Sequence, residues 1–260
     1  MRDTLEALDA GEIGVSEAES RLAGYATTAA GRFDAARERR RGIPEAILAE
    51  GKTPAEVAAL TTTAVETTGR ALVTRADADD AAAVRTAFTA GPDADDELSA
   101  AVDHDERTRT VVVHGDEFTP PSLDATVAVV AAGTADAAVA GEAAIVAREI
   151  GATVDRVDDV GVANLDRILD QRDRIAEADV VVVAAGREGA LSTVVAGLVD
   201  APVIALPVST GYGVGGEGVA ALQGALQSCS VLTAVNVDAG FVAGAQAGLI
   251  ARAVDAARRD

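Results

Sequence analysis

Tryptophan is absent from this chain of 260 residues, and its aromatic rings are limited to two tyrosines and four phenylalanines, with only two histidines. A core must therefore be built from aliphatic side chains, and site chemistry cannot lean on imidazole. A single cysteine, Cys229, excludes an internal disulfide framework. Lysine is equally scarce: of the 22 basic residues only Lys52 is a lysine. No run is both long and apolar enough to cross a bilayer, and the first 25 residues lack a signal-peptide pattern. These absences predict a soluble cytoplasmic protein with no membrane partner.

What is abundant is acid. Forty-two Asp and Glu residues give a formal net charge of −20, which argues against nucleic acid as a partner because such binding needs a basic footprint. The acidic, lysine-poor, alanine-rich composition reads as adaptation to a high-salt cytoplasm (a halophilic protein), where screening removes most self-repulsion. Hydrophobic residues still make up 49%, so the chain is globular rather than disordered.

Residues 1–40 read as two or three short helices, with a capping-box spacing in Ser16-Glu17-Ala18-Glu19. Arg37–Arg41 is the one basic cluster, either a solvated helix end or a site for an anionic ligand. Ala46–Ala49 suits a short strand. Thr53-Pro54-Ala55-Glu56 has the cap, the first-turn proline and the returning glutamate of a helix start. Lys52 sits in a glycine turn just before that start, where an anion is favoured and an ammonium point charge would meet it. A strand at Arg70–Thr74, a helix at Asp79–Phe88 and a strand at Arg109–Val113 follow. The polar stretch Gly91–Arg107 reads as an exposed loop or short helix, and His104 and His114 as structural or exposed. The Pro120-Pro121 segment marks a linker, dividing the chain into a small amino-terminal α/β domain (1–122) and a second domain (123–260).

From Ala125 onward strands alternate regularly with helices. Strands are expected at Ala125–Ala131, Thr153–Val157, Val180–Ala184, Pro202–Leu206 and Leu232–Val235. Helices are expected at Ala137–Ile150, Asn164–Glu177, Ala190–Leu198, Glu217–Ser228 and Ala239–Ala257. Right-handed crossovers then leave a three-layer α/β/α parallel sheet. In such a sheet ligands bind beyond the carboxyl ends of the strands, and three of those ends carry unusual residues. After the first strand, Gly133-Thr134-Ala135-Asp136 is a glycine turn that could cradle a phosphate, with Asp136 as helix cap or ligand contact. After the third, Arg187 and Glu188 stand between two glycines. After the fourth, Ser209–Gly218 holds five glycines within Gly211–Gly218, a density that suits close backbone approach to a ligand or a lid. Cys229 lies at the end of the next helix.

Taken together, Gly133–Asp136, Asp159–Ala163, Gly186–Leu191, Ser209–Gly218 and Ser228-Cys229 resemble, in this order, the nickel-pincer cofactor biosynthesis carboxylase (LarB) family. More weakly, so does Gly42–Thr53. The carboxyl-terminal domain of that family is similar to aminoimidazole ribonucleotide carboxylases, which implies a flavodoxin-like, purine-carboxylase-like sheet. The resemblance implies an enzyme that carboxylates nicotinic acid adenine dinucleotide with carbon dioxide and hydrolyses its phosphoanhydride. The products would be AMP and pyridinium-3,5-biscarboxylic acid mononucleotide, made for a nickel pincer cofactor such as that of lactate racemase. It further implies Cys229 as the thiol that adds to the ring, Glu188 as proton acceptor and Asp136 as a third catalytic group. Gly133, Thr134, Asp159, Ser209, Tyr212, Gly213, Gly215, Gly216 and Lys52 would contact substrate. Magnesium would assist at the diphosphate with no organic cofactor, and the assembly would be a homo-oligomer, an octamer by analogy.

Two departures bear on that reading. The purine carboxylases carry a histidine after the second strand for proton transfer, whereas this chain has Val157-Asp158-Asp159-Val160-Gly161-Val162 and no histidine in the domain. Within the pincer family the segment before the basic cluster usually carries histidines, and here it is Phe33-Asp34-Ala35-Ala36. An aminoimidazole ribonucleotide carboxylase or mutase and a non-catalytic nucleotide-binding module stand as rival readings.

Overall fold

The computed structural model describes residues 2–15, 18, 21–22, 24–89 and 100–259. The chain forms two units, Met1–Thr119 and Pro120–Asp260. Ser16, Glu17 and Glu19 of the capping-box spacing, and residues 90–99, lie outside the described residues.

In the first unit the helical expectation for residues 1–40 gives way to mixed structure. A helix spans Arg2–Asp9, but β1 (Ala26–Thr28) and β2 (Gly31–Phe33) form an antiparallel hairpin. Phe33 and Ala26 are buried against the helix that follows later in the chain, so tertiary burial overrides local helix preference. A four-stranded sheet has the order β3-β4-β6-β5, with β3 Ala46–Leu48, β4 Arg70–Thr74, β5 Ala100–Asp105 and β6 Thr110–Gly115. β5 corrects the expectation of a loop or short helix through Arg107. Its alternating burial marks a half-covered edge strand whose polar outer face hid it. Helices Pro54–Thr68 and Ala78–Phe88 cover one face of this sheet. The first starts as its sequence demands: the Thr53 backbone N–H donates to Glu56 Oε2 at 2.8 Å while Glu56 N–H donates back to Thr53 Oγ1. That backbone donor holds the Glu56 carboxyl below its usual range. The basic cluster is a short helix, Arg37–Arg41, whose Arg37 and Arg40 pair with Glu45 and Asp34.

The second unit is a five-stranded, wholly parallel sheet of order β11-β10-β9-β7-β8. Its strands are β7 Thr126–Ala131, β8 Thr153–Val157, β9 Val180–Ala185, β10 Val203–Pro207 and β11 Thr233–Ala234. This is the flavodoxin-like winding in three layers. β9 is buried at every position. Val180, Val182 and Ala184 face one set of helices and Val181, Val183 and Ala185 the other, which is why a run of four valines forms the strand. The single helix expected over Asn164–Glu177 is two, Leu165–Leu169 and Arg172–Ala176. Each turns one isoleucine, Ile168 and Ile175, into the core.

On the other face, helices Ala137–Ile150 and Gly240–Arg259 pack through alanine and glycine. Gly240, Gly244 and Gly248 recur every fourth residue on the facing stripe. A methyl added at Gly248 would come within 2.5 Å of Ile150 Cδ1, and one at Gly244 would overlap the Ala143 carbonyl. A core without large aromatics is thus closed by bringing backbones together. The Asp124 N–H donates to Asp255 Oδ1 at 2.9 Å, with Arg259 on the same oxygen, which ties the start of the unit to its last helix. That backbone donor, helped by Arg259, depresses the Asp255 carboxyl. The tie therefore contributes fully above the ordinary aspartate pKa and is lost as pH falls through the depressed one.

Gly244→Val forces the two helices apart and should destabilise the unit by roughly 3 kcal/mol. Denaturant unfolding at fixed salt checks this, and an unchanged midpoint would contradict so close a helix contact.

Candidate functional site

The winding of the second unit reverses between β7 and β9, since β8 lies outward of β7 on one side and β10 outward of β9 on the other. The loops leaving the carboxyl ends of two such strands part in opposite directions and open a crevice between them. A cavity of about 590 Å³ lies there, walled by the loops after β7, β8, β9 and β10.

Those loops are joined closely. Asp136, nearly fully buried, lies at the end of a short 3₁₀ turn, Thr134–Asp136. Its carboxylate is not a cap for the helix Ala137–Ile150. Instead Oδ2 accepts from the Gly133 N–H at 2.9 Å, and Oδ1 accepts from the Thr210 hydroxyl at 2.6 Å. The Thr210 carbonyl in turn accepts from the Arg187 N–H at 3.0 Å. Gly186 makes this approach possible, because a Cβ there would overlap the Thr210 side chain and carbonyl. Gly161 does the same beside the Ala132 carbonyl, 2.8 Å from where its Cβ would be. The loops after β8, β9, β10 and β11 each hold a non-glycine residue at positive φ: Asp159, Arg187, Glu217 and Asp238. Backbone in that region costs energy and persists where surrounding contacts over-determine it.

The turn Gly186–Gly189, closed by a 2.8 Å bond from the Gly189 N–H to the Gly186 carbonyl, presents Arg187 and Glu188 to solvent and cavity. The Arg187 guanidinium stacks 4.2 Å from the Tyr212 ring centroid and donates to the Tyr212 hydroxyl at 3.2 Å. Tyr212 itself is 80% exposed.

The cavity thus unites Gly133, Asp136, Glu188 and Tyr212 of the residues expected from sequence. It also brings in Arg187, Thr210 and the Gly161–Ala163 turn. Thr134 and Ser209 adjoin its wall without lining it, and Gly213, Gly215 and Gly216 continue the loop beyond it. Asp159 turns outward to Arg167 at 3.3 Å. Lys52, in the first unit, donates its ammonium to the Leu48 carbonyl at 2.6 Å.

Cys229 is exposed and does not line the cavity of its own chain. Its neighbours are fixed to the helix that begins beside Glu188, Ala190–Ala196. Thr193 Oγ1 donates to Ser228 Oγ at 3.1 Å, and Ser230 Oγ donates to the Thr193 carbonyl at 3.3 Å. Around it Leu226 and Val231 are 70% and 94% exposed. Among the described residues no group of three or more metal-ligating side chains occurs. In the cavity Asp136 already accepts two hydrogen bonds, so Glu188 is left as the uncommitted carboxylate. That donor set does not fit a magnesium ion held by protein alone.

Residues 25–115 match a family model described as the LarB/PurE-like N-terminal domain. An uncharacterized protein of Methanocaldococcus jannaschii, MJ0165, is 32% identical over 258 residues, covering 97% of each chain.

Thr210→Val keeps the shape of the side chain but leaves Asp136 Oδ1 buried without its donor. A loss of about 1–3 kcal/mol is expected, together with faster amide exchange across Ser209–Gly218, while Thr210→Ser should restore both. Unchanged exchange in the valine variant would show that the hydroxyl does not hold the loop.

Proposed function

The chain belongs to the LarB/PurE-like family, whose chemistry is of the carboxylase and mutase type, and we propose that it carboxylates the pyridinium ring of nicotinic acid adenine dinucleotide. It also hydrolyses the phosphoanhydride, releasing AMP and leaving pyridinium-3,5-biscarboxylic acid mononucleotide for a nickel pincer cofactor. The observation that carries this reading is the donor set of the cavity: a free carboxylate, a guanidinium and an aromatic face at the topological switch point, with no imidazole. Both histidines of the chain belong to the other unit. The purine carboxylases use a histidine to move the proton, so their reaction is the less favoured alternative.

The electron-poor pyridinium ring cannot attack carbon dioxide unaided. The Cys229 thiolate adds at C4, turning the ring into a dihydropyridine whose enamine makes C5 nucleophilic. C5 bonds to the carbon of carbon dioxide, Glu188 accepts the C5 proton, and the thiolate leaves as aromaticity returns. Hydrolysis is separate: water attacks phosphorus and the bridging P–O bond breaks. Magnesium enters this reading as the counter-ion of the substrate's diphosphate, and no step is routed through it.

Because Cys229 lies outside the cavity of its own chain, the reading also calls for a second copy. Exposed Leu226 and Val231 beside the thiol supply an apolar surface such a contact would cover. A symmetric homo-oligomer, an octamer by analogy with the purine carboxylases, would then carry thiols to neighbouring cavities.

Cys229→Ser exchanges the sulfur for an oxygen far less able to add to the ring at neutral pH. Carboxylation should fall by about three orders of magnitude or more. Dinucleotide binding and release of AMP should persist, giving nicotinic acid mononucleotide without the added carboxylate. Product analysis by mass spectrometry reads both, and wild-type carboxylation by the serine variant would end the covalent account.

A further inference from the structure

Arg187 is the one cation among the residues lining the cavity. In a chain with a net charge of −20, several arginines of this unit pair with carboxylates, among them Arg156 with Asp158, Arg167 with Asp159 and Arg258 with Asp179. Arg187 has an aromatic partner instead, and it is the one that lines the cavity. Its guanidinium lies on the face of Tyr212 and bonds the phenol oxygen, and neither lining carboxylate, Asp136 or Glu188, takes it as a partner. Its backbone is held at a φ of 48° by the Thr210 carbonyl, so the side chain is aimed over the cavity by a turn that has little freedom.

A planar guanidinium offers paired donors that match the two oxygens of a carboxylate or phosphate. A cation–π contact at a surface as exposed as Tyr212 is weak enough to be exchanged for such a partner. We propose that Arg187 is the anion receptor of this cavity and that Tyr212 holds it in readiness. On binding, the guanidinium leaves the ring face for an anionic group of the substrate, and the vacated face is open to the substrate's own cationic ring. This rests on the pyridinium dinucleotide reading above, whose substrate carries two kinds of anion, a ring carboxylate and a diphosphate.

Tyr25 and Tyr212 are the only tyrosines and there is no tryptophan, so in a Tyr25→Phe background the emission of Tyr212 reports the exchange directly. Titration uses nicotinic acid adenine dinucleotide and nicotinamide adenine dinucleotide, which differ only in the ring carboxylate, with no bicarbonate present. Each should change Tyr212 emission in the parent protein. Arg187→Gln should weaken binding about 10- to 100-fold without changing the melting temperature. A loss confined to the nicotinic acid form assigns the ring carboxylate to Arg187, and an equal loss for both assigns the diphosphate. Unchanged dissociation constants, or a parent protein whose Tyr212 responds to neither dinucleotide, would overturn the proposal. Since no turnover is involved, a protein that binds through Arg187 and yet never carboxylates would sink the function and leave the receptor standing.

Discussion

The hydrogen bond from Thr210 to Asp136 joins the first and fourth strand ends of the second unit, and the cavity depends on it. It requires Gly186 to have no side chain, since Thr210 occupies the space a Cβ would take. It also requires Asp136 to be buried, which a carboxylate tolerates only with hydrogen-bond partners, here Thr210 and Gly133. The consequence is a rigid floor of backbone amides and one fixed carboxylate. Around it, Arg187, Glu188 and Tyr212 stay exposed and able to meet a ligand. The fixed frame sets where these side chains begin, which limits what they must search to orient a substrate.

The same economy of side chains runs through the unit. Without tryptophan and with few other aromatics, the core is closed by valines alternating across a parallel sheet and by glycines and alanines between helices. Close-packed small residues leave little room for adjustment, so loops must take up the geometry. The positive-φ residues on the loops after β8 through β11 are where that cost appears. Many acids elsewhere face solvent or pair with arginine, although Asp80, Glu142 and Glu149 are buried, and the cavity itself has few charges.

Much of this was legible in the sequence. Four valines bounded by an acid and a glycine mark β9, and Thr53–Glu56 specify their helix start by side-chain chemistry alone. Gly133–Asp136 and Gly186–Gly189 point to strand ends where ligands gather. The hairpin at Ala26–Phe33 was not legible, because its strands are three residues long and draw their burial from a helix distant in sequence. Nor was β5, whose polar face follows the alternation of an edge strand and reads as loop. The role of Asp136 escaped a local reading because its partner, Thr210, lies 74 residues away. Arg187 stood out by its position, yet its lack of a carboxylate partner and its stacking on Tyr212 arise only from the fold.

The central claim is that this cavity serves carboxylation of a pyridinium dinucleotide. Its most direct test is incubation of the full chain in high salt with nicotinic acid adenine dinucleotide, isotopically labelled bicarbonate and magnesium, with products weighed by mass spectrometry. The account predicts AMP and a mononucleotide carrying one labelled carboxylate. Conversion of aminoimidazole ribonucleotide under the same conditions, with the dinucleotide left intact, would contradict it.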